Sequence, residues 1–222
     1  MQRPNRWVEG LSIICLGALA GVAGPAIFYL MTAITESLHP DYDPISETVS
    51  ALAIGPYGWI ETVSFFLLSF LVLVFTARLY QEISRSVSAR IGTLSYLLIS
   101  LGLLLVGVFP TGEPGAPETI HNAIHNASAG GISVLFVIAC FAFAVEFRVK
   151  LGWRKLFLYT LLTGVIAVIL IIMSIVVPSD WYWKGLHERL LLANAFIWVA
   201  VISIRLLYGC VCQWRILRST GE

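Results

Sequence analysis

Three of the four histidines of this chain fall in two short stretches, ETIHNAIHNASAGG at residues 118–131 and GLHERLLLAN at residues 185–194. His121 and His125 are four residues apart, so on a helix their imidazoles lie one turn apart on one face, the spacing that many zinc sites use. His187 and a carboxylate from Asp43, Glu47 or Glu188 would complete such a shell, with zinc or another divalent cation as the metal. A water bound there could hydrolyse a lipid ester or amide, making the protein a membrane-embedded, metal-dependent lipid hydrolase or transferase. Asn122 stands where the H-E-x-x-H pattern carries its glutamate, so the pattern is incomplete.

Other chemistries use the same residues. Without a metal, the histidines with Asn122 and Asn126 would hydrogen-bond a neighbouring loop and its carboxylates, and the cluster would bind a lipid headgroup or lock the fold. Haem ligation would pair His187 with His121 or His125, but no matching histidine pair exists toward the other membrane face. Ser46 or Ser50 could serve as a nucleophile with a histidine base, although neither sits in a G-x-S-x-G elbow. The candidate set for binding is therefore Asp43, Ser46, Glu47, Ser50, Glu61, Asn122, Asn126 and Arg189. Catalytic candidates are Asp43, Ser46, Glu47 and Glu188, and metal candidates are His121, His125 and His187.

Such groups must be positioned by membrane helices. Of 222 residues only 12% are charged and 58% are hydrophobic, with a mean hydropathy of +0.86, far too apolar for a soluble domain. Six windows are long enough to span a bilayer, at about 11–34, 59–79, 91–109, 120–145, 156–177 and 188–208. The fold class is an all-α integral membrane bundle of six helices in one domain, and nothing points to nucleic acid. An apolar stretch that runs on to about Thr35 argues for a retained first helix rather than a cleaved leader. Cys15 and Cys140 lie inside spans and Cys210 and Cys212 at the inner edge, which suggests no extracytoplasmic disulfide.

Charge sets the orientation. Arg3, Arg6, Arg78, Arg85, Arg90, Arg148, Lys150, Arg154, Lys155, Arg205, Arg215 and Arg218 all fall on one side of a six-span chain, leaving only Lys184 and Arg189 on the other. By the positive-inside rule both termini are cytoplasmic, and the protein belongs in a cell membrane. Tyr57, Trp59, Trp181, Tyr182 and Trp183 would mark the outer interface, with Trp7, Tyr80, Trp153, Tyr208 and Trp214 at the inner one. Gly17, Gly21 and Gly24, with Gly102, Gly107, Ala127, Gly130 and Gly131, read as close-packing ridges.

The polar groups then converge at the outer end. HPDYDPISETVSALAIGPYGW, in the first outer connection, opens with an Asp43 cap before Pro44 and ends at Gly55-Pro56, which predicts a short interfacial helix between them. Pro114 and Pro117 close the third connection, so the fourth span starts near Thr119. Glu61 and Ser64 stand just inside the second span, and Asn194 would hydrogen-bond a neighbouring helix. Ionisable side chains near hydrocarbon cost up to roughly 2.5–3.5 kcal/mol each, so they are expected to face one another across a hydrated pocket.

Those same stretches carry a resemblance. DPISETVSALAIGPYGW, GVFPTGEPGAPETIHNAIHNASA and GLHERLLLANAFIWVAVISIRLL resemble the prokaryotic membrane family called domain of unknown function 998, over about residues 10–208. The resemblance implies six spans, no assigned activity, and motif positions at Asp43, Ser46, Glu47, Ser50, Pro110, His121 and His125. More distantly, the ISE loop and the histidine of the fourth span look like the FRAG/DRAM/SFK group, some of whose members are linked to lipid-anchor remodelling or autophagy. That likeness implies a lipid-like ligand. The alternative is a transporter, accessory or structural membrane protein, although no inverted repeat or pair of broken helices favours transport.

Overall fold

A computed structural model describes residues 6–83, 86–113, 117–177 and 181–220, with side-chain surroundings for the part between 15 and 212. Arg3, Arg85 and Pro114 lie outside the described residues, as do the side chains of Arg6, Trp7, Trp214, Arg215 and Arg218. Six long helices follow in chain order: α1 (Arg6–Ser37), α2 (Gly58–Glu82), α3 (Val87–Val108), α4 (Ile120–Val149), α5 (Phe157–Val176) and α6 (Lys184–Thr220). All six are long and apolar enough to cross a membrane, and no strand occurs among the described residues. Even α5, with 20 residues, reaches about 30 Å at helical rise, the thickness of the hydrocarbon core. The chain is a multi-pass membrane protein.

Packing runs in chain order from α1 to α6, and α6 returns to α1, so the helices form a closed ring. Small residues permit the close approaches. A Cβ on Gly17 would lie 2.7 Å from Cβ of Arg78, and one on Gly21 would lie 2.6 Å from the Phe75 ring. Gly102 and Gly107 serve likewise against Ile132 and Phe66. Gly130 and Gly131 correct the expected ridge: nothing lies within 4 Å of a Cβ built on either, and Ala127 beside them is exposed. Cys15 of α1 and Cys210 of α6 form a disulfide across the ring closure, with Cα atoms 5.9 Å apart. The thiols read as separate in the sequence are thus paired, on the side of the termini.

The two halves of the ring are filled differently. Toward the termini, Phe75, Tyr96, Phe143, Phe147, Trp153 and Trp198 are all at most 2% exposed. Tyr96 stacks on Trp198 at 5.3 Å, Phe143 on Trp198 at 5.6 Å, and Phe147 on Trp153 at 4.7 Å. Offset stacks of this kind add about 0.5–1.5 kcal/mol each beyond area burial. Gly92 makes the room, since a Cβ there would sit 2.7 Å from the Phe143 ring. Trp153 is therefore no interfacial anchor: it closes the base of the stack, under the Arg205 guanidinium at 5.3 Å. Tyr57, Trp59, Tyr182 and Trp183 at the other end, and Tyr80 and Tyr208 at this one, are exposed as anchors should be.

The α1–α2 connection departs from the expected interfacial helix. Asp43 does cap a turn: its carboxylate accepts from the Ile45 N–H at 3.1 Å and the Ser46 hydroxyl at 2.7 Å, while Glu47 Oε1 accepts the Asp43 N–H at 3.2 Å. One turn closes, with Glu47 N–H on Asp43 O at 2.8 Å, and then the chain extends through Thr48 into a short 3₁₀ segment, Val49–Ala53. Helix propagation stops because other elements take the backbone groups it needs. Tyr42 donates to the carbonyls of Glu47 and Thr48, Arg189 donates to those of Pro44 and Glu47, and Glu188 accepts the Val49 N–H. Gly55, at φ +87°, makes the turn into α2 in a conformation that favours glycine.

Candidate functional site

The end of the ring that carries this connection holds two polar assemblies. The first is centred on Arg189, near the start of α6. Its guanidinium donates to the carbonyls of Pro44 at 2.9 Å, Glu47 at 3.1 Å and Gly185 at 3.3 Å, to the Tyr42 hydroxyl at 2.8 Å, and to the Glu36 carboxylate at the end of α1. It also lies over the Tyr42 ring at 5.6 Å. A planar fork with five N–H donors suits such convergent carbonyls, which an ammonium would not. The Leu186 N–H donates to Ile45 O at 3.0 Å, and Gly185 has no room for a side chain, since its Cβ would be 2.1 Å from Glu47 O. Together these contacts strap the connection to α6.

Electrostatics around the strap follow from these bonds. Burial, opposed by Arg189, pushes the Tyr42 phenol up to about 12, so it remains a donor. The Ser46 hydroxyl and then the Ile45 N–H hold the Asp43 carboxyl below its usual range, and Asp43 in turn pushes the neighbouring Tyr182 phenol up.

The second assembly is a cavity of about 130 Å³ inside the ring, directly under the connection. Its walls are apolar, with Phe65, Leu103, Val106, Ile132, Leu191 and Leu192 among them, and Phe136 is at its lower end. Phe136 meets Trp198 edge to face at 6.3 Å, which joins the floor of the cavity to the aromatic stack. Its polar lining comes from separate segments: Ser50 of the 3₁₀ segment, His125 and Ser133 of α4, and Glu188 of α6. By comparison, an apolar cavity of about 150 Å³ is known to stay dry and admit a benzene-sized group. In this one Ser50, His125 and Glu188 lie toward the connection, while Ser133, eight residues farther along α4, is deeper, near Phe136.

The imidazoles do not meet. His121 is exposed, with its ring 5.3 Å from Phe109. His125 is buried, and its Nδ1 donates to Phe109 O at 2.8 Å, at the end of α3. His187 is turned to α5, with Nε2 donating to Leu170 O at 2.9 Å. The metal shell of His121, His125 and His187 is therefore not assembled, nor is a facing pair for haem, because each buried ring is held by a neighbouring helix carbonyl. Among the described residues no three His, Cys, Asp or Glu side chains are placed to hold a metal ion. Neither serine has a histidine base either: Ser46 bonds Asp43 and Ser50 donates to Thr48 Oγ1 at 3.3 Å.

The remaining candidates are distributed. α4 starts next to Thr119 as expected, and Thr119 caps it by accepting the Asn122 N–H at 3.2 Å, while Asn122 Oδ1 accepts from Gly112 N–H at 3.3 Å, tying the α3–α4 connection. Asn126 is exposed. Asn194 donates to Thr163 O of α5 at 3.1 Å, the interhelical bond expected of it. Glu61 is wholly buried between α1 and α2, where Oε1 accepts from Thr32 at 3.2 Å and Ser64 at 3.0 Å, while Oε2 has no partner among the described residues. It is not among the residues that line the cavity. Sequence reasoning passed over Glu36 and Tyr42, though a lone acid closing α1 and a lone arginine opening α6 at the same membrane level were a signal for that pair.

No curated protein and no solved structure matches the chain. The family model described as "Protein of unknown function (DUF998)" matches residues 22–205, from within α1 to within α6 and including the strap and the cavity. This chain belongs to the DUF998 family.

Proposed function

We propose that the protein is a lipid-binding component of a cell membrane that takes part of one hydrocarbon chain of a lipid-like molecule into the cavity from the outer leaflet. In this reading residues 1–222 act as a single membrane domain with both termini in the cytoplasm, which the placement of twelve of the fourteen basic residues supports. The observation that carries the reading is the cavity itself: apolar walls from α2, α3, α4, α5 and α6, with Ser50, His125 and Glu188 gathered on its polar side. A binding site for an amphipathic molecule has this division, mostly apolar with a few convergent polar groups. The strap of Arg189 and Glu36 then serves as its roof, positioned by α1 and α6 together.

A second reading assigns the polar cluster to locking the bundle alone, and the Arg189 contacts favour it for that half of the site. The two readings part at the cavity. Filling the space with Ala195→Phe, on the α6 wall, leaves the strap untouched. With purified full-length protein in detergent, quenching of buried tryptophan emission by dibromostearoyl glycerol reads occupancy, because Trp198 lies just below the floor and is 0% exposed to bulk lipid. Saturable quenching that disappears in Ala195→Phe, and in Trp198→Phe, is the expected result. Quenching that rises linearly with probe and is identical in the filled variant overturns chain binding and leaves the locking role.

A further inference from the structure

We infer that the cavity selects lipids whose polar end donates hydrogen bonds, a hydroxyl or an amino group, over lipids ending in phosphate or carboxylate. The inference rests on the chain-binding reading and concerns what that reading leaves open. In a bilayer the hydrocarbon chain gains little by moving from lipid to cavity, since acyl tails are as apolar as leucine side chains. Discrimination among lipids must therefore come from the polar side.

The protons on that side are already committed. The His125 Nδ1–H is spent on Phe109 O, because a carbonyl can only accept. Nε2 is the ring's remaining nitrogen, a lone pair whenever the ring is neutral. Ser50 Oγ donates to Thr48 Oγ1, and deeper along α4 Ser133 Oγ donates to Ala129 O at 3.2 Å, so both hydroxyls present lone pairs to anything beside them. One oxygen of Glu188 accepts the Val49 N–H at 2.7 Å, and the other meets no donor among the described residues. The lining includes no Lys, Arg, Asn or Gln. Arg189, adjacent in sequence, is outside the lining, and its two terminal nitrogens are occupied by three carbonyls, Tyr42 and Glu36. A phosphate or carboxylate entering here would shed water and find no Lys or Arg counter-charge and no uncommitted N–H donor, beside the Glu188 carboxyl group, which is costly in a confined apolar site. A hydroxyl or ammonium end instead supplies the protons that Glu188, His125 and Ser50 lack.

The test uses four probes with one dibrominated stearoyl or stearyl chain: the monoglyceride, the primary amine, the free acid and the lysophosphatidate. Each is titrated into full-length protein in the same neutral detergent, with quenching of buried tryptophan as the readout. The monoglyceride and the amine are expected to half-saturate at concentrations about tenfold or more below the lysophosphatidate, with the acid also weak. Glu188→Gln keeps an oxygen for the Val49 N–H and adds an N–H₂ donor, so it is expected to narrow the gap by strengthening the acid and lysophosphatidate and weakening the amine. The wild-type comparison does not depend on that variant folding. Lysophosphatidate binding as tight as the monoglyceride overturns the head-group inference while chain binding stands. Failure of all four probes to saturate removes the cavity reading, and this inference with it.

Discussion

At the scale of residues, the polar cluster is two devices that share neighbouring positions. Glu188 and Arg189 are consecutive on α6, yet one lines the cavity and the other holds the strap, because adjacent helical residues point about 100° apart. Arg189→Lys keeps a charge for Glu36 but cannot serve the carbonyls of Pro44 and Glu47 and the Tyr42 hydroxyl at once. We expect it to cost about 1–2 kcal/mol, discounted for the partial exposure of the pair, read as a lower unfolding midpoint in detergent. Tyr42 supplies a pH test. Its phenol is raised from 10.0 to about 12, so its contribution to the strap is complete below pH 10 and is lost as pH rises through 12. A difference titration of phenolate absorbance, wild type minus Tyr42→Phe, is expected to have its midpoint near 12; a midpoint at 10 would show the tyrosine outside the strap. Which residues carry polar function was partly legible at this scale, since burial cost marks a histidine or glutamate in a membrane helix as partnered. The partner was not legible. The i, i+4 spacing of His121 and His125 gives a shared helix face but not the carbonyl of Phe109, which alone decides where the second ring turns.

At the scale of elements, the helices were readable because apolar length is set by bilayer thickness and little else. The fourth helix begins at Ile120 behind its Thr119 cap, and the fifth occupies Phe157–Val176 against an expected 156–177. The connection was not readable in the same way. Asp43-Pro44 announces a cap, and a cap is present, but whether a helix follows depends on who takes the next carbonyls, and Tyr42 and Arg189 take them. Gly185 is the element-level weak point of this arrangement. A methyl group there would fall 2.1 Å from Glu47 O and 2.8 Å from Pro44 O, both backbone atoms. Gly185→Ala is therefore expected to push the strap off α6 at about 1–3 kcal/mol, with faster hydrogen exchange at residues 45–50 and unchanged exchange in α2 and α3. Uniform acceleration through all six helices would instead mean that the strap is not a separable part.

At the scale of the whole molecule, the ring is closed by a covalent bond between its first and last helices. Of four cysteines, Cys15 and Cys210 are joined and Cys140 and Cys212 are free. Maleimide labelling of unfolded protein is expected to add two labels without reductant and four after reduction, counted by mass spectrometry; four labels without reductant would open the ring at α1–α6. The sequence offered no route to this pairing, because 195 residues separate the two thiols and only the circular order of helices brings them together. The aromatic stack was equally hidden, being contributed by α2, α3, α4, α6 and the turn at Trp153. It has a consequence for traffic through the molecule. Beneath the cavity lies a floor of interlocked rings, and a solute or ion that entered under the strap would meet Phe136 and, behind it, Trp198.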